Sequence, residues 1–261
     1  MGINAKDKSI QARHDLRRQK RIREQRIRRY TFFAVLGVIA ILIVMFLTPL
    51  FNIKTVNIVG NVKLSQEQIL TEIGDFTGRN LFSSRGHGIK KKISKFAYTE
   101  KVTVKKKPFP PTLTIEITER TPAVQIVYAE SYIVIDRDGR ILEKTAEKLE
   151  GVAVCEGLKV TSANEGEFIS LKEEETQKIV IGCIGNLEKA DIIKDVTFIS
   201  FEDMTNITFN YQSRLDVICG THIDFQRKLS LFKEAVNSNK LTQNSRGTIN
   251  LATTGKAIYT P

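Results

Sequence analysis

The sequence predicts an α+β protein with a single N-terminal transmembrane helix, then a β-α-α-β-β domain, then a mixed strand/helix β domain. Three observations support this fold class. No charged residue occurs between Arg29 and Lys54, helical and alternating apolar patterns follow in β-α-α-β-β order from about 51 to 119, and both patterns intermingle after residue 120. We therefore expect a basic cytoplasmic tail over 1–29, a transmembrane helix over 30–51, and external domains over 52–120 and 121–261.

The apolar segment runs from Thr31 to Phe51. A helix of roughly 20 residues crosses the hydrocarbon core, and only a helix satisfies its own backbone hydrogen bonds there. A cleaved signal peptide is disfavoured by the long basic region before the segment, by the length of the apolar run and by the lack of an A-x-A-like site. A buried core helix is disfavoured because the segment has no polar face. We predict an uncleaved anchor.

The net charge of +11 is concentrated in the first 29 residues, which hold eleven basic and three acidic side chains. The rest of the chain carries +3. By the positive-inside rule, the N-terminus lies in the cytoplasm and the residues after about 52 lie outside. Because the basic excess belongs mainly to this tail, the composition does not indicate a nucleic-acid partner.

The first external domain is predicted element by element. The β-prone stretch 51–59 is followed by Ser65, which is expected to begin a helix with Gln68 at the capping-box position and Gly74 at its end. A second, lysine-rich helix is expected from Ile89 to Phe96. Strands follow around 102–105 and 112–118, and the prolines at 108, 110 and 111 mark the turn between them.

The second external domain begins with apolar stretches on either side of Arg137-Asp138-Gly139-Arg140, a pattern typical of a tight hairpin with Gly139 at positive φ. A calcium loop is disfavoured, since the further oxygen ligands of that motif are missing. We predict helices over 173–187 and 225–236, and strands at 196–201, 207–211, 215–219, 247–251 and 256–259.

The sequence contains no catalytic or nucleotide-binding motif that we recognise among the common ones, so we expect neither an enzyme nor a cofactor. Three cysteines (Cys155, Cys183 and Cys219) cannot all pair with one another, and none lies in a CxxC pair. We interpret them as small apolar core residues. The three histidines are far apart in sequence, which gives a metal site little support.

Lysines are concentrated in the first external domain, and Lys105, Lys106 and Lys107 are consecutive. The simplest interpretation is a solvated face. The alternative hypothesis is a basic patch that contacts anionic wall polymer, lipid headgroups or an acidic partner.

Two segments resemble the bacterial FtsQ/DivIB cell-division family. They are IKTVNIVGNVKLSQEQILTEIGDFTGRNLF at 53–82 and TEKVTVKKKPFPPTLTIEITERTPAV at 99–124. Glu119, Arg120 and Pro122 match the family's Glu-Arg-x-Pro ending, and Val124 stands where members often carry alanine. The hairpin sequence YIVIDRDGRIL is also similar, whereas no motif aligns between about 143 and 195. The resemblance implies a POTRA domain followed by the family's β domain.

The resemblance also implies a function, namely a divisome scaffold at the septum that binds the bitopic proteins FtsB/DivIC and FtsL and helps organise septal cell-wall synthesis. The family's binding edge lies near the C-terminus of the β domain, which here corresponds to Leu251, Thr254, Gly255, Ile258 and Tyr259. The alternatives are a POTRA-containing translocation or assembly factor and a membrane-tethered wall-binding protein. The first normally carries a cleaved signal and a β-barrel, and the second, as a hydrolase, needs a catalytic constellation.

Overall fold

The computed structural model describes residues 3–238, 241–242, 244–253 and 255–261, with side chains given for residue 20 and from residue 23 onward. The chain divides into two compact units. The first unit comprises 1–57, 75–86 and 104–115, and the second comprises 58–74, 87–103 and 116–261.

Helix α1 spans Ile3–Leu47, so the basic segment and the apolar segment form one continuous helix. Residues Arg23–Leu47 are long and apolar enough to cross a membrane, and none of the apolar window is buried in the protein. This exposure excludes the core-helix alternative. The helix ends at Leu47, four residues before the predicted end, because Pro49 starts a 3-10 turn over Pro49–Phe51.

The segment from β1 to β3 has the predicted β-α-α-β-β order. Ser65 and Gln68 form both bonds of the capping box, and Gly74 ends the helix. The alternation over 112–118 is confirmed, since Leu113, Ile115 and Ile117 are all buried. The second helix begins earlier than predicted. The elements are β1 (Thr55–Val59), α2 (Gln66–Ile73), α3 (Gly86–Ile93), β2 (Thr99–Pro108) and β3 (Pro111–Glu119), with sheet order β1-β3-β2.

Within the described residues, the second sheet has nine strands in the order β14-β13-β12-β11-β10-β7-β4-β5-β6. The pairs β4/β7, β7/β10 and β12/β13 are parallel, and the remaining neighbours are antiparallel. Its strands are β4 (Val124–Tyr128), β5 (Ser131–Ile135), β6 (Ile141–Thr145), β7 (Ala153–Glu156), β10 (Val196–Ser200), β11 (Ile207–Tyr211), β12 (Leu215–Gly220), β13 (Gly247–Asn250) and β14 (Ile258–Thr260), while β8 (Val160–Ser162) pairs with β9 (Ser170–Leu171).

Two helices connect the parallel strands, α4 (Glu174–Lys189) between β7 and β10, and α5 (Phe225–Val236) between β12 and β13. Both bury their apolar stripes in one core with the sheet. Phe232 of α5 packs edge-on against Phe209 at 5.4 Å and against Tyr211 at 5.1 Å between ring centroids. The helical periodicity predicted for 225–236 is therefore confirmed, and the α+β fold class is confirmed with it.

Arg120 and Asp136 form a nearly buried ion pair in the second unit. The two side chains are 17% and 4% exposed. The Arg120 Nε also donates to the carbonyl of Thr99 at 3.3 Å, and the Arg120 backbone N–H donates to the carbonyl of Tyr98 at 2.7 Å. Glu119 accepts hydrogen bonds from the backbone N–H groups of Lys63 and Leu64. Glu119 and Arg120 thus connect three separate stretches of the second unit.

The hairpin predicted at 137–140 is confirmed, with Gly139 at φ +82°. The Oδ1 of Asp136 accepts from the backbone N–H groups of Asp138 at 3.0 Å and Arg140 at 2.8 Å, which fixes the turn. A Cβ on residue 139 would lie 2.5 Å from the Cδ1 of Ile181 on α4. Glycine is therefore favoured here for its backbone conformation, and a larger residue would also displace the end of the Ile181 side chain.

We predict that Asp136→Asn lowers the free energy of unfolding by roughly 3 kcal/mol, because it leaves the enclosed Arg120 guanidinium without its anionic partner. The matched control is Asp138→Asn. Asp138 lies 3.5 Å from the same guanidinium but its side chain is 56% exposed, so its loss is expected to cost at most about 1 kcal/mol. Urea unfolding of the detergent-solubilised chain, followed by circular dichroism, measures both values. Equal losses of unfolding free energy for the two variants would show that the Arg120–Asp136 pair stabilises the fold no more than the exposed contact with Asp138 does.

Candidate functional site

The two edges of the nine-stranded sheet differ in how they are covered. At the β6 edge, the backbone N–H of Ile141 donates to the carbonyl of Glu167, and the N–H of Gly166 donates to the carbonyl of Ile141, both at 2.8 Å. The N–H of Lys144 donates to the Glu165 carboxylate at 3.2 Å. The segment 164–168 therefore occupies the hydrogen-bonding side of β6 and closes this edge.

The opposite edge, β14, is open. Its register with β13 pairs Thr248 with Thr260, Ile249 with Tyr259 and Asn250 with Ile258. In the part of the chain that the structure describes, no further strand pairs with β14, and all three of its residues are exposed. Because alternate residues of an edge strand point their N–H and C=O groups outward, β14 can accept an added strand.

The predicted binding residues divide into exposed and buried positions. Ile258 is 48% exposed and Tyr259 is 37% exposed, and the Tyr259 hydroxyl donates to the carbonyl of Arg246 at 2.7 Å. Gly255 is exposed at φ +78° in the loop before β14. Leu251 is 1% exposed, and its side chain packs in the hydrophobic core. Thr254 lies outside the described residues.

A cavity of about 170 Å³ lies beside this loop. Leu251 and Gly255 line it together with Ile223, in the loop before α5, and with Arg227 and Lys228 in the first turn of α5. Ile223 is 61% exposed, and the Lys228 Nζ donates to the carbonyl of Thr221 at 2.8 Å. The cavity thus combines apolar side chains with two cationic ones and the acidic Asp224, a lining that suits an amphipathic side chain of a partner.

The residues that line this cavity in α5 and just before it were not predicted from the sequence. The helical pattern identified the buried face of α5, but Arg227 and Lys228 lie outside that face and Ile223 precedes the helix. The connection between two parallel strands is the sequence feature that could have indicated this cavity. Helix α5 connects the parallel strands β12 and β13, and the loops at the carboxyl ends of parallel strands commonly form binding sites.

The three consecutive lysines of β2 do not share one environment. Lys106 donates to the carbonyl of Ser84 at 2.5 Å, and partial burial lowers the pKa of its ammonium group. Lys105 and Lys107 are exposed, and in a strand they point away from the side that Lys106 faces. All three lysines remain exposed, so the predicted basic patch is divided between two faces of β2, with Lys105 and Lys107 on one and Lys106 on the other.

All three cysteines are free and buried, which confirms their interpretation as core residues. Burial raises the thiol pKa of Cys183 and of Cys219 to about 12, and it raises the pKa of Cys155 further. These thiols are therefore not nucleophiles at neutral pH. Among the described residues, no group of three or more His, Cys, Asp and Glu side chains is placed to hold a metal ion.

Comparison with known proteins gives a consistent assignment. Residues 51–120 match the family model described as "POTRA domain, FtsQ-type". The chain is 24% identical to the cell division protein DivIB of Clostridium tetani over 87% of this chain and 85% of that protein. It is 25% identical to DivIB of Clostridium botulinum strain Hall over 81% and 82%, respectively. These matches confirm the resemblance to the FtsQ/DivIB family.

Two further similarities cover less of the chain. The cell division protein FtsQ of Corynebacterium glutamicum is 30% identical over 51% of this chain and 54% of that protein. The solved extracytoplasmic domain of DivIB from Geobacillus stearothermophilus aligns at 15% identity with a TM-score of 0.32, over 47% of this chain and 96% of that one. A structural likeness at this TM-score supports no conclusion by itself.

We predict that the three thiols react with a thiol reagent only when the protein unfolds. At pH 8, raising a thiol pKa from 9.0 to about 12 lowers the thiolate fraction roughly a thousandfold, and burial also blocks access. Modification of the detergent-solubilised chain by a chromogenic disulfide, with and without denaturant, measures this. Rapid reaction of even one thiol in the folded protein would contradict the buried-core assignment.

Proposed function

We propose that this chain is a non-enzymatic scaffold of the bacterial divisome. It binds FtsB/DivIC-like and FtsL-like bitopic proteins on the outer face of the membrane and helps organise septal cell-wall synthesis. Two findings support the role in division. The relatives that the chain matches over more than four fifths of its length are named cell division proteins, and residues 51–120 match an FtsQ-type POTRA model.

The open edge at β14 is the observation that carries the proposed binding mode. A partner segment adds as a strand beside β14 and takes up the outward-facing N–H and C=O groups. Since β14 has three residues, it offers few main-chain hydrogen bonds. Side-chain contacts must therefore supply most of the affinity and the specificity. Ile258 and Tyr259 on the edge and the cavity beside Gly255 are the surfaces available for them.

The membrane helix contributes to binding in this proposal. With the basic tail of 1–29 in the cytoplasm and the domains 52–120 and 121–261 outside, the β14 edge is confined to the same membrane as its partners. Proteins that each cross the membrane once meet at a high effective concentration, so a short edge with modest intrinsic affinity is sufficient.

We predict that Ile258→Asp weakens binding of a DivIC-like partner by about tenfold or more, because it places a charge where the added strand buries an apolar side chain. Phe168→Asp is the matched control, since Phe168 is also an exposed apolar residue but lies at the covered β6 edge. A pull-down with purified full-length proteins compares the two variants. Undiminished binding by Ile258→Asp, with the fold intact by circular dichroism, would refute the edge mode.

We also predict that a fluorescent fusion of the full chain concentrates at division septa. Removal of residues 258–261, which takes away β14 and leaves the core residue Leu251 in place, should abolish partner capture, while the helix α1 still delivers the protein to the membrane. Fluorescence microscopy of dividing cells gives the measurement. A uniform distribution of the intact fusion around the cell would contradict the role in division itself, independently of which edge binds the partner.

A further inference from the structure

The end of helix α1 is joined directly to the folded part of the first unit. The side-chain amide of Asn80 donates to the carbonyl of Met45 at 2.9 Å, within the last turn of the helix. At the end of the 3-10 turn that follows, the carbonyl of Phe51 accepts from the backbone N–H of Leu81 at 2.9 Å. The residues around position 80 are therefore held at the level where the candidate membrane span ends.

An aromatic cluster lies at this same place. The ring of Phe51 packs edge-on against Phe82 at 5.2 Å and against Phe109 at 5.7 Å between centroids. Phe109, at the tip of the β2–β3 hairpin, is 62% exposed, and Leu50 is 60% exposed. Since Phe51 follows the end of α1 by four residues, its contact with Phe109 brings the hairpin tip to the membrane end of the unit.

Charge is distributed unequally between the two units. Outside helix α1, the first unit holds six basic residues and one acidic residue, a net charge of +5. The second unit holds 23 basic and 25 acidic residues, a net charge of −2. The net positive charge outside helix α1 therefore lies in the unit that contains α1. Lys54, Lys105 and Lys107 are exposed members of this group.

We infer that this surface docks on the membrane and binds anionic lipid headgroups. We define the juxtamembrane patch as the apolar residues Leu50, Phe51, Phe82 and Phe109 together with Lys54, Lys105 and Lys107. The rings insert at the boundary of headgroups and acyl chains, and the lysines neutralise the headgroup charge, as in other interfacial anchors. Because α1 ends in the same unit, this leaflet is within reach whichever way the helix is oriented.

Continuity with the membrane span favours lipid over a wall polymer or an acidic protein. A polymer or a protein could satisfy the lysines, but an exposed apolar surface beside a bilayer is most simply covered by that bilayer. The inference is independent of the proposed β14 edge, which belongs to the second unit.

The absence of tryptophan from the sequence allows a direct test. Phe109→Trp introduces a single indole at the hairpin tip, the tip reporter, and Phe168→Trp introduces one at a similarly exposed position of the second unit, the control reporter. The full-length variants are reconstituted in nanodiscs that contain phosphatidylglycerol with bromine on its acyl chains. We expect the emission of the tip reporter to shift to shorter wavelength and to lose most of its intensity relative to unbrominated discs. The emission of the control reporter should stay unchanged.

The role of the lysines is tested in the Phe109→Trp background. Lys54→Glu combined with Lys107→Glu should remove most of the quenching in phosphatidylglycerol discs. Lys148→Glu combined with Lys159→Glu, which makes the same charge change at exposed lysines of the second unit, should leave it intact. Discs of phosphatidylcholine alone should reproduce the reduced quenching of the first pair.

Three outcomes would overturn the inference. Emission of the tip reporter that is insensitive to brominated lipid would show that the hairpin tip does not enter the membrane. Equal quenching in neutral and anionic discs would show that anionic headgroups are not recognised. A change in the tip reporter that requires added teichoic acid, and does not occur with lipid alone, would assign the patch to wall polymer. Circular dichroism of each variant confirms that the fold is retained.

Discussion

The ion pair between Arg120 and Asp136 is the constraint on which the second unit is built. The Arg120 guanidinium bonds the Asp136 carboxylate and the carbonyl of Thr99, while the other oxygen of Asp136 holds the turn of the β5–β6 hairpin. A charge removed from water in this way is tolerated only with its partner in place. The pair therefore ties the strand that ends the POTRA-type segment to the first hairpin of the large sheet, and Gly139 in that hairpin supports α4.

Local patterns predicted local structure well. The alternation of Leu113, Ile115 and Ile117, the capping box of Ser65 and Gln68, and the turn at Gly139 each depend on residues close in sequence, and all three appear as expected. The helical period of α5 was readable for the same reason, because its buried face repeats over twelve residues. The order of elements in the first domain followed from these signals alone.

Features set by distant contacts could not be predicted in the same way. Strands β7, β8 and β9 have two to four residues each, too few for a periodic pattern. The position of β7 in the sheet is set by its pairing with a parallel strand on each side. The candidate site shows the same limit. The sequence indicated the C-terminal segment as a whole. The burial of Leu251, and the position of Arg227 beside it in the cavity, depend on how this segment and α5 pack together in the fold.

The shortness of β14 has a consequence for colloidal behaviour. A long, open, apolar edge is a template on which copies of a protein pair with one another and grow into insoluble aggregates. Three residues followed by Pro261, which has no backbone N–H, give a second copy very few hydrogen bonds to exploit. The shortness of β14 therefore limits the pairing of one copy of the protein with another at this edge.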